Sequence, residues 1–265
     1  MKNRLRTSAA GAFLTALLIA VAGCKSNQGN VLRIGITPGP AEEILHSAEP
    51  ALKQQGIELK LVHFSDYIQP NMALASHDLD VNLYQNAAFL NQFNRDHQTH
   101  FVALNRIYLP LMAIYPGRTK TLAALGNGSR IAIPNDPVNH DRALLLLEKA
   151  GLLQLEKDAT GFAAKITSNP RQLKLVELDA AQLPRSLDDV DAAVINANFA
   201  LDAGLNPHTG SLLSETRDSP YANVLATNAG TESDPHIQAL AKALTSSKTR
   251  SYISTRYGGA VYPAE

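Results

Sequence analysis

Cys24 is the single cysteine of this 265-residue chain, and none follows it. No internal disulfide can form, so burial alone must hold the fold, whatever compartment the protein occupies. Long hydrophobic runs are also scarce. Beyond the amino terminus no stretch is long and apolar enough to span a membrane. Catalytic signatures are missing as well. There is no Gly-x-Ser-x-Gly elbow, and Gly126-Asn-Gly-Ser129 is a turn ahead of a strand, without the Gly-Lys-Ser/Thr of a phosphate loop. Metal-ligand spacing is nearly absent: His97-Gln-Thr-His100 is the only close histidine pair, an i,i+3 arrangement that can share a metal on a helix. Asp188-Asp189 reads as an exposed turn. The expectation is a protein that is not an enzyme and carries no cofactor or resident metal.

What is present begins at the amino terminus. Lys2, Arg4 and Arg6 precede an apolar run from Ala9 to Ala22, too short for a permanent bilayer helix but suited to a signal-peptide core. Small residues in Val21-Ala22-Gly23-Cys24 give a peptidase access beside a thiol, and the segment resembles a bacterial lipoprotein signal. That resemblance implies lipidation of Cys24, cleavage before it, and a body tethered to a membrane of the cell envelope, facing the periplasm or the exterior. Residues 25–30 are polar and without periodicity, as a flexible tether would be. Without residues 1–23 the chain has 21 Lys+Arg against 24 Asp+Glu. A formal charge of −3 argues against nucleic acid or an anionic membrane face as the main partner.

From Val31 onward strand-like and helix-like segments alternate, which implies α/β lobes with mainly parallel sheets and right-handed crossovers. Val31–Thr37, Ile57–Val62 and Leu79–Tyr84 read as strands; Ala41–Gln55 (bent or broken at Pro50), Tyr67–Ala75 and Ala87–Arg95 read as helices. Ile107–Tyr115 is strand-like but contains Pro110, as an edge strand or one leaving a lobe would. A second series follows: strands at Arg130–Pro134, Leu173–Leu178 and Val190–Ile195, with a helix through Ala143–Ala150. Tyr221–Thr227 reads as a return strand, and the end as a helix over Ile237–Thr245 and a Gly258-Gly259 loop. The expected layout is a signal at 1–23, lipidated cysteine and tether at 24–30, a first lobe at 31–112 plus 228–265, and a second lobe at 113–227. Two crossings between lobes make a hinged cleft, and ligands in such folds sit at strand carboxyl ends and helix amino ends.

Pro134-Asn-Asp-Pro-Val-Asn-His-Asp-Arg142, followed by Ala143 and four leucines, is the stretch richest in chemistry. A helix starting near Pro137 puts Asn139 and Arg142 on one face of its first turns. Free helix N–H groups and an arginine fork can together hold a small carboxylate. The competing reading pairs Arg142 with a neighbouring Asp and uses Asn135 as a helix cap.

Several blocks resemble the NlpA/MetQ family of methionine-binding lipoproteins, which serve ABC importers. They are Phe64-Ser-Asp-Tyr-Ile-Gln-Pro-Asn71, Pro134-Asn-Asp-Pro137 with Arg142-Ala-Leu-Leu-Leu-Leu147, Gln182-Leu-Pro-Arg-Ser-Leu-Asp-Asp189, Ala193-Val-Ile-Asn196, Ser219-Pro-Tyr-Ala-Asn223 and Gly258-Gly-Ala-Val261. The resemblance implies a two-lobed periplasmic-binding-protein fold with two hinge crossings, no catalysis, and delivery of methionine or a close relative to an ABC permease in the inner membrane. It implies that Arg142 holds the ligand carboxylate and that Asn196 and Asn223 supply amide contacts. Tyr67 and Tyr84 are candidates to wall a thioether, which packs well on ring edges; Asn86 and Asn139 complete the candidate set. Three departures stand out: Asn86 replaces the histidine of Phe-Gln-His, Asn105-Arg106-Ile107 replaces Asn-Thr-Phe, and His140-Asp141 replaces Leu-Gly. All three are expected beside the ligand, which leaves a different amino acid, a methionine derivative or a short peptide open as cargo. Two other functions stay open: a metal-binding solute-binding lipoprotein, and an envelope lipoprotein or adhesin without transport function.

Overall fold

The computed structural model describes residues 30–157 and 163–265. The expected signal, Cys24 and nearly all of the tether lie outside the described residues. The chain opens with β1 (Val31–Ile36), α1 (Pro40–Lys53), β2 (Glu58–His63), α2 (Gln69–Ala75), β3 (Val81–Asn82), α3 (Ala87–His97) and β4 (Phe101–Pro110). A second series follows: β5 (Ala113–Pro116), β6 (Arg130–Pro134), α4 (Pro137–Lys149), β7 (Gln154–Lys157), β8 (Ala163–Ser168), β9 (Lys174–Leu178), α5 (Leu183–Ser186), β10 (Ala192–Ile195), α6 (Ala197–Asp202) and β11 (Leu213–Ser214). It closes with β12 (Asn223–Asn228), α7 (Pro235–Leu244), α8 (Ser247–Tyr257) and β13 (Val261–Pro263).

Two main sheets result, one per lobe, with orders β13-β4-β12-β3-β1-β2 and β11-β5-β10-β6-β9, and β7 and β8 form a separate antiparallel pair. Strands linked by helices pair in parallel, β1 with β2 and β3, β6 with β9 and β10. Strands next to the crossings pair antiparallel, β12 with β3 and β4, β5 with β10 and β11. The sheets are therefore mixed rather than mainly parallel. The cause is the hinge: β4 runs out of the first lobe and β12 runs back in beside it. Because β12 lies inside the first sheet, residues 223–227 sit with the first lobe and not with the second, where the sequence reading had put them.

Local chemistry explains the elements that frame the cleft. In α1, Pro40 occupies the first turn, where its missing N–H costs nothing. Ile44, Leu45, Ala48 and Leu52 form the buried stripe. Pro50 does not end the helix, which runs on for one more turn to Lys53. The apolar run around Pro110 splits into β4 and β5 at Leu111-Met112, so the strand leaving the lobe is two strands joined by a crossing. The helix α8 had no sequence signal: only Thr249 and Ile253 are buried along it, so its hydrophobic periodicity is weak. Gly258, with φ of 51°, caps its end in the left-handed conformation.

Candidate functional site

Between the lobes lies a narrow cavity, partly open to solvent. Its walls lie close together, leaving about 20 Å³ open to the centre of a water-sized sphere. All seven residues proposed from sequence line it: Tyr67, Tyr84, Asn86, Asn139, Arg142, Asn196 and Asn223. Two wider grooves of about 470 and 610 Å³ lie outside it; the first shares only Arg142 and the second shares none of these residues. The narrow cavity is the better site because it concentrates buried polar and aromatic groups.

Each polar group is positioned by an element boundary. Asn86 is the N-cap of α3, its Oδ1 accepting from the Phe89 N–H at 3.0 Å. Asp136, not Asn135, caps α4, accepting from the Asn139 N–H at 2.9 Å. Asn139 and Arg142 follow within the first turns of α4, and Asn196 stands where β10 gives way to α6. Asn223 is the first residue of β12, bridged to Asn86 across the entry to the first lobe.

The guanidinium of Arg142 is almost wholly buried, 3% exposed, and lies 4.6 Å above the Tyr221 ring. Its partner is Glu215, on the return crossing: Nε donates to Oε1 at 2.7 Å and Nη2 to Oε2 at 2.5 Å. Nη2 also donates to the Pro110 carbonyl at 2.9 Å. Burial would push the Arg142 pKa down, but the charge and hydrogen bonds of Glu215 hold it above its ordinary value. The ion pair is thus made with a residue remote in sequence, not with the neighbouring Asp. Glu215 further joins the two crossings, accepting from the Met112 N–H at 3.0 Å and donating its own N–H to the Met112 carbonyl at 2.9 Å.

The amide orientations are fixed by partners that can only donate or only accept. Asn223 Nδ2 donates to the Tyr84 carbonyl at 2.8 Å and contacts the Tyr108 hydroxyl at 3.0 Å, which leaves its Oδ1 over. Asn86 spends Oδ1 on its cap and keeps Nδ2. Asn139 Nδ2 faces both Asp136 carboxylate oxygens at 3.1 and 3.0 Å, so its Oδ1 accepts from Asn196 Nδ2 at 2.8 Å. Asn196 Oδ1 is buried without a partner. The groups left over are two donors, on Arg142 and Asn86, and two acceptors, on Asn196 and Asn223.

The remaining wall is aromatic. Tyr67 and Tyr84 stack with ring centroids 6.0 Å apart, Phe89 meets both edge-on, and Phe199 lies 5.2 Å from Tyr67. Tyr67 also ties the lobes, donating its hydroxyl proton to Asn198 Oδ1 at 2.6 Å. Burial raises the pKa of both tyrosines, so they stay neutral. Beside these rings Gln85 exchanges two amide hydrogen bonds of 2.8 Å with Asn71 behind it, stiffening the loop that carries Asn86.

Sequence reasoning missed Gln85, Phe89, Pro110 and Asn198 in the wall, and Asp136, Glu215, Tyr108 and Tyr221 behind it. Asp136 had a signal, since Asp before Pro at a strand–helix junction is a strong cap; Glu215 had none. The three departures do not all reach the cavity. Asn86 lines the cavity, whereas Arg106 is exposed on β4, and His140 faces Asp141 at 3.4 Å and Glu177 at 3.7 Å. Strand alternation and the 100° helical step turn both side chains away. For the metal reading, α3 ends at His97 and Gln98 turns left-handed, so His97 and His100 do not share a helix face. No cluster of three or more His, Cys, Asp or Glu side chains able to hold a metal occurs among the described residues.

Comparison with known proteins gives four findings. The model of the NlpA lipoprotein family matches residues 32–265. Membrane lipoprotein TpN32 of Treponema pallidum is 35% identical over 267 aligned residues, covering 100% of each chain. D-methionine-binding lipoprotein MetQ of Salmonella typhimurium is 35% identical, covering 98% of this chain and 99% of its own. Among solved structures, a nutrient binding protein from Burkholderia cenocepacia bound to methionine superposes with a TM-score of 0.83 at 37% identity, covering 88% of this chain and 100% of that one.

Proposed function

The chain belongs to the NlpA lipoprotein family, and from that premise we propose that its inter-lobe cavity captures a free amino acid, methionine first among them, for delivery to an ABC permease. It is a binding protein and not an enzyme. The observation that carries the reading is the hydrogen-bonding inventory of the cavity. Two donors, one of them cationic, match a carboxylate, and two amide oxygens match an ammonium. The aromatic wall of Tyr67, Tyr84 and Phe89 suits an apolar side chain, and a thioether makes favourable contacts at ring edges. Arg142 and Asn86 hold the carboxylate; Asn196 and Asn223 accept from the ammonium. Asn139 acts behind Asn196 and does not reach the ligand through its own committed amide. The relative bound to methionine has the same two-lobed fold, which supports the choice of side chain.

Ligand extraction tests this directly. Protein purified without refolding should release methionine or a close relative on denaturation, detected by mass spectrometry. Asn223→Ala should weaken methionine binding by about ten-fold or more in calorimetry, because a buried polar partner is worth about 1–3 kcal/mol. Unchanged affinity in that variant would remove Asn223 from the site.

Lipid anchoring through Cys24 belongs to the same proposal. It rests on the thiol beside Gly23 after an apolar signal core, on the family, and on no described helix being long and apolar enough to cross a membrane. Cys24→Ser should abolish incorporation of labelled palmitate and shift the body from the membrane fraction to the soluble one. Equal labelling of wild type and variant would sink the assignment.

A further inference from the structure

The cavity contains a chain of side chains whose order of donation is set from one end. Asp136 has only acceptors when ionised, and both of its oxygens take the Asn139 amide N–H groups at 3.1 and 3.0 Å. That contact forces Asn139 Oδ1 to point the other way, where it accepts from Asn196 Nδ2 at 2.8 Å. Asn196 is then oriented in turn: it lines the cavity at 6% exposure, and its Oδ1 is buried with no partner. Without the carboxylate at 136, either amide could turn over, and Asn196 could offer N–H groups in place of oxygen. A buried acceptor without a protein partner costs about 1–3 kcal/mol, and because Asn196 also lines the cavity a donor that arrives with the ligand can satisfy it.

From this we infer that Asp136 is a positioning residue which, through Asn139, fixes Asn196 as an acceptor and so makes the site demand a protonated α-amino group on its ligand. The inference rests on the amino-acid reading of the cavity and adds to it a rule of selection. A methionine analogue lacking the amine is refused, because it leaves Asn196 Oδ1 unpaired. The Arg142–Glu215 pair reinforces the rule: its charges already cancel, so a ligand carrying a lone carboxylate brings an uncompensated charge into a buried site.

Calorimetry with two probes, L-methionine and its des-amino analogue 4-(methylthio)butanoate, tests this on wild type and Asp136→Asn. Asparagine is as good an N-cap as aspartate, so α4 should keep its start; thermal melting of the ligand-free variant checks that, and Asp136→Ser is a second capping variant should the first fold poorly. Wild type should prefer methionine by about ten-fold or more, and Asp136→Asn should lose about ten-fold for methionine while its affinity for the analogue changes by less than about two-fold. Collapse of that preference is the signature, since a merely structural role would weaken both probes alike. Equal weakening of both, or an unchanged preference, overturns the role of Asp136. Equal binding of the two probes by wild type overturns the amine requirement. If wild type binds neither methionine nor any other free amino acid, the reading of the cavity itself fails, a result distinct from the other two.

Discussion

Arg142→Ala is expected to lose methionine binding by at least about ten-fold and, at the same time, to destabilise the ligand-free protein by about 3–5 kcal/mol. The second effect follows from Glu215. Its side chain is 11% exposed and its charge is answered by the guanidinium of Arg142. Removing one partner of a buried pair leaves the other desolvated and unpaired, which costs far more than the pair is worth when intact. A loss of that size should lower the melting temperature by on the order of 10 °C. The two effects separate in a double variant. Arg142→Met with Glu215→Leu removes both charges and fills their volume, and should recover most of the stability without recovering binding. Denaturant unfolding and calorimetry on the three proteins decide it. A stable Arg142→Ala protein would mean that Glu215 is solvated, and binding by the double variant would mean that the guanidinium does not hold the carboxylate.

Gly39→Val is expected to wedge the lobes apart. Gly39 joins β1 to α1 in the first lobe, at φ of 111°, a conformation that side chains with a Cβ rarely adopt. A Cβ built there would lie 2.8 Å from Asn198 Cα and 2.9 Å from its Cβ and carbonyl oxygen. Asn198 belongs to α6 of the second lobe, so the clash falls across the cleft and not inside either core. Backbone strain of about 1–3 kcal/mol adds to it. Methionine affinity should fall by about ten-fold or more, a shift of at least 1.4 kcal/mol in binding free energy by the usual conversion, with an increased radius of gyration in solution scattering. Gly230→Ala is the control for strain alone, since Gly230 also has positive φ, at 89°, but nothing lies within 4 Å of its added Cβ. Its affinity should be that of wild type. Full affinity in Gly39→Val would show that the lobes need not meet at Asn198 for the ligand to be held.

Much of this architecture was legible in the sequence because local and global signals agreed. The run Arg130–Pro134 became β6 without change, and Leu144, Leu146 and Leu147 after Arg142 became part of the buried side of α4. The seven candidate ligand residues converged because each sits at a junction of strand and helix or at a crossing, where turn chemistry and site chemistry use the same Asn, Asp and Pro. What the sequence did not disclose are partnerships made across long separations. Glu215 lies 73 residues from Arg142, and nothing in Leu213-Ser-Glu-Thr marks it as the counter-charge of a buried cation. The side chains of Arg106 and His140 were misjudged for a related reason: nearness in sequence to a site residue does not fix the face on which a side chain stands. Periodicity also failed where burial is slight, as in α8.

The sheet order of the first lobe has a consequence for the order in which the chain can fold. β12 lies between β3 and β4, yet it is separated from β4 by the entire second lobe. Until Asn228 is available, the facing edges of β3 and β4 have no strand between them, and open edges invite wrong pairing. The second lobe, by contrast, is one unbroken stretch of chain and can complete its sheet first, as units built from nearer contacts do. Assembly is therefore expected to run from the inside outward, with the carboxyl-terminal segment inserted last as the strand that unites two halves of the first lobe. A polypeptide emerging amino end first is held incomplete until almost its last forty residues arrive. Until then those two bare edges are the part of the fold most open to wrong pairing.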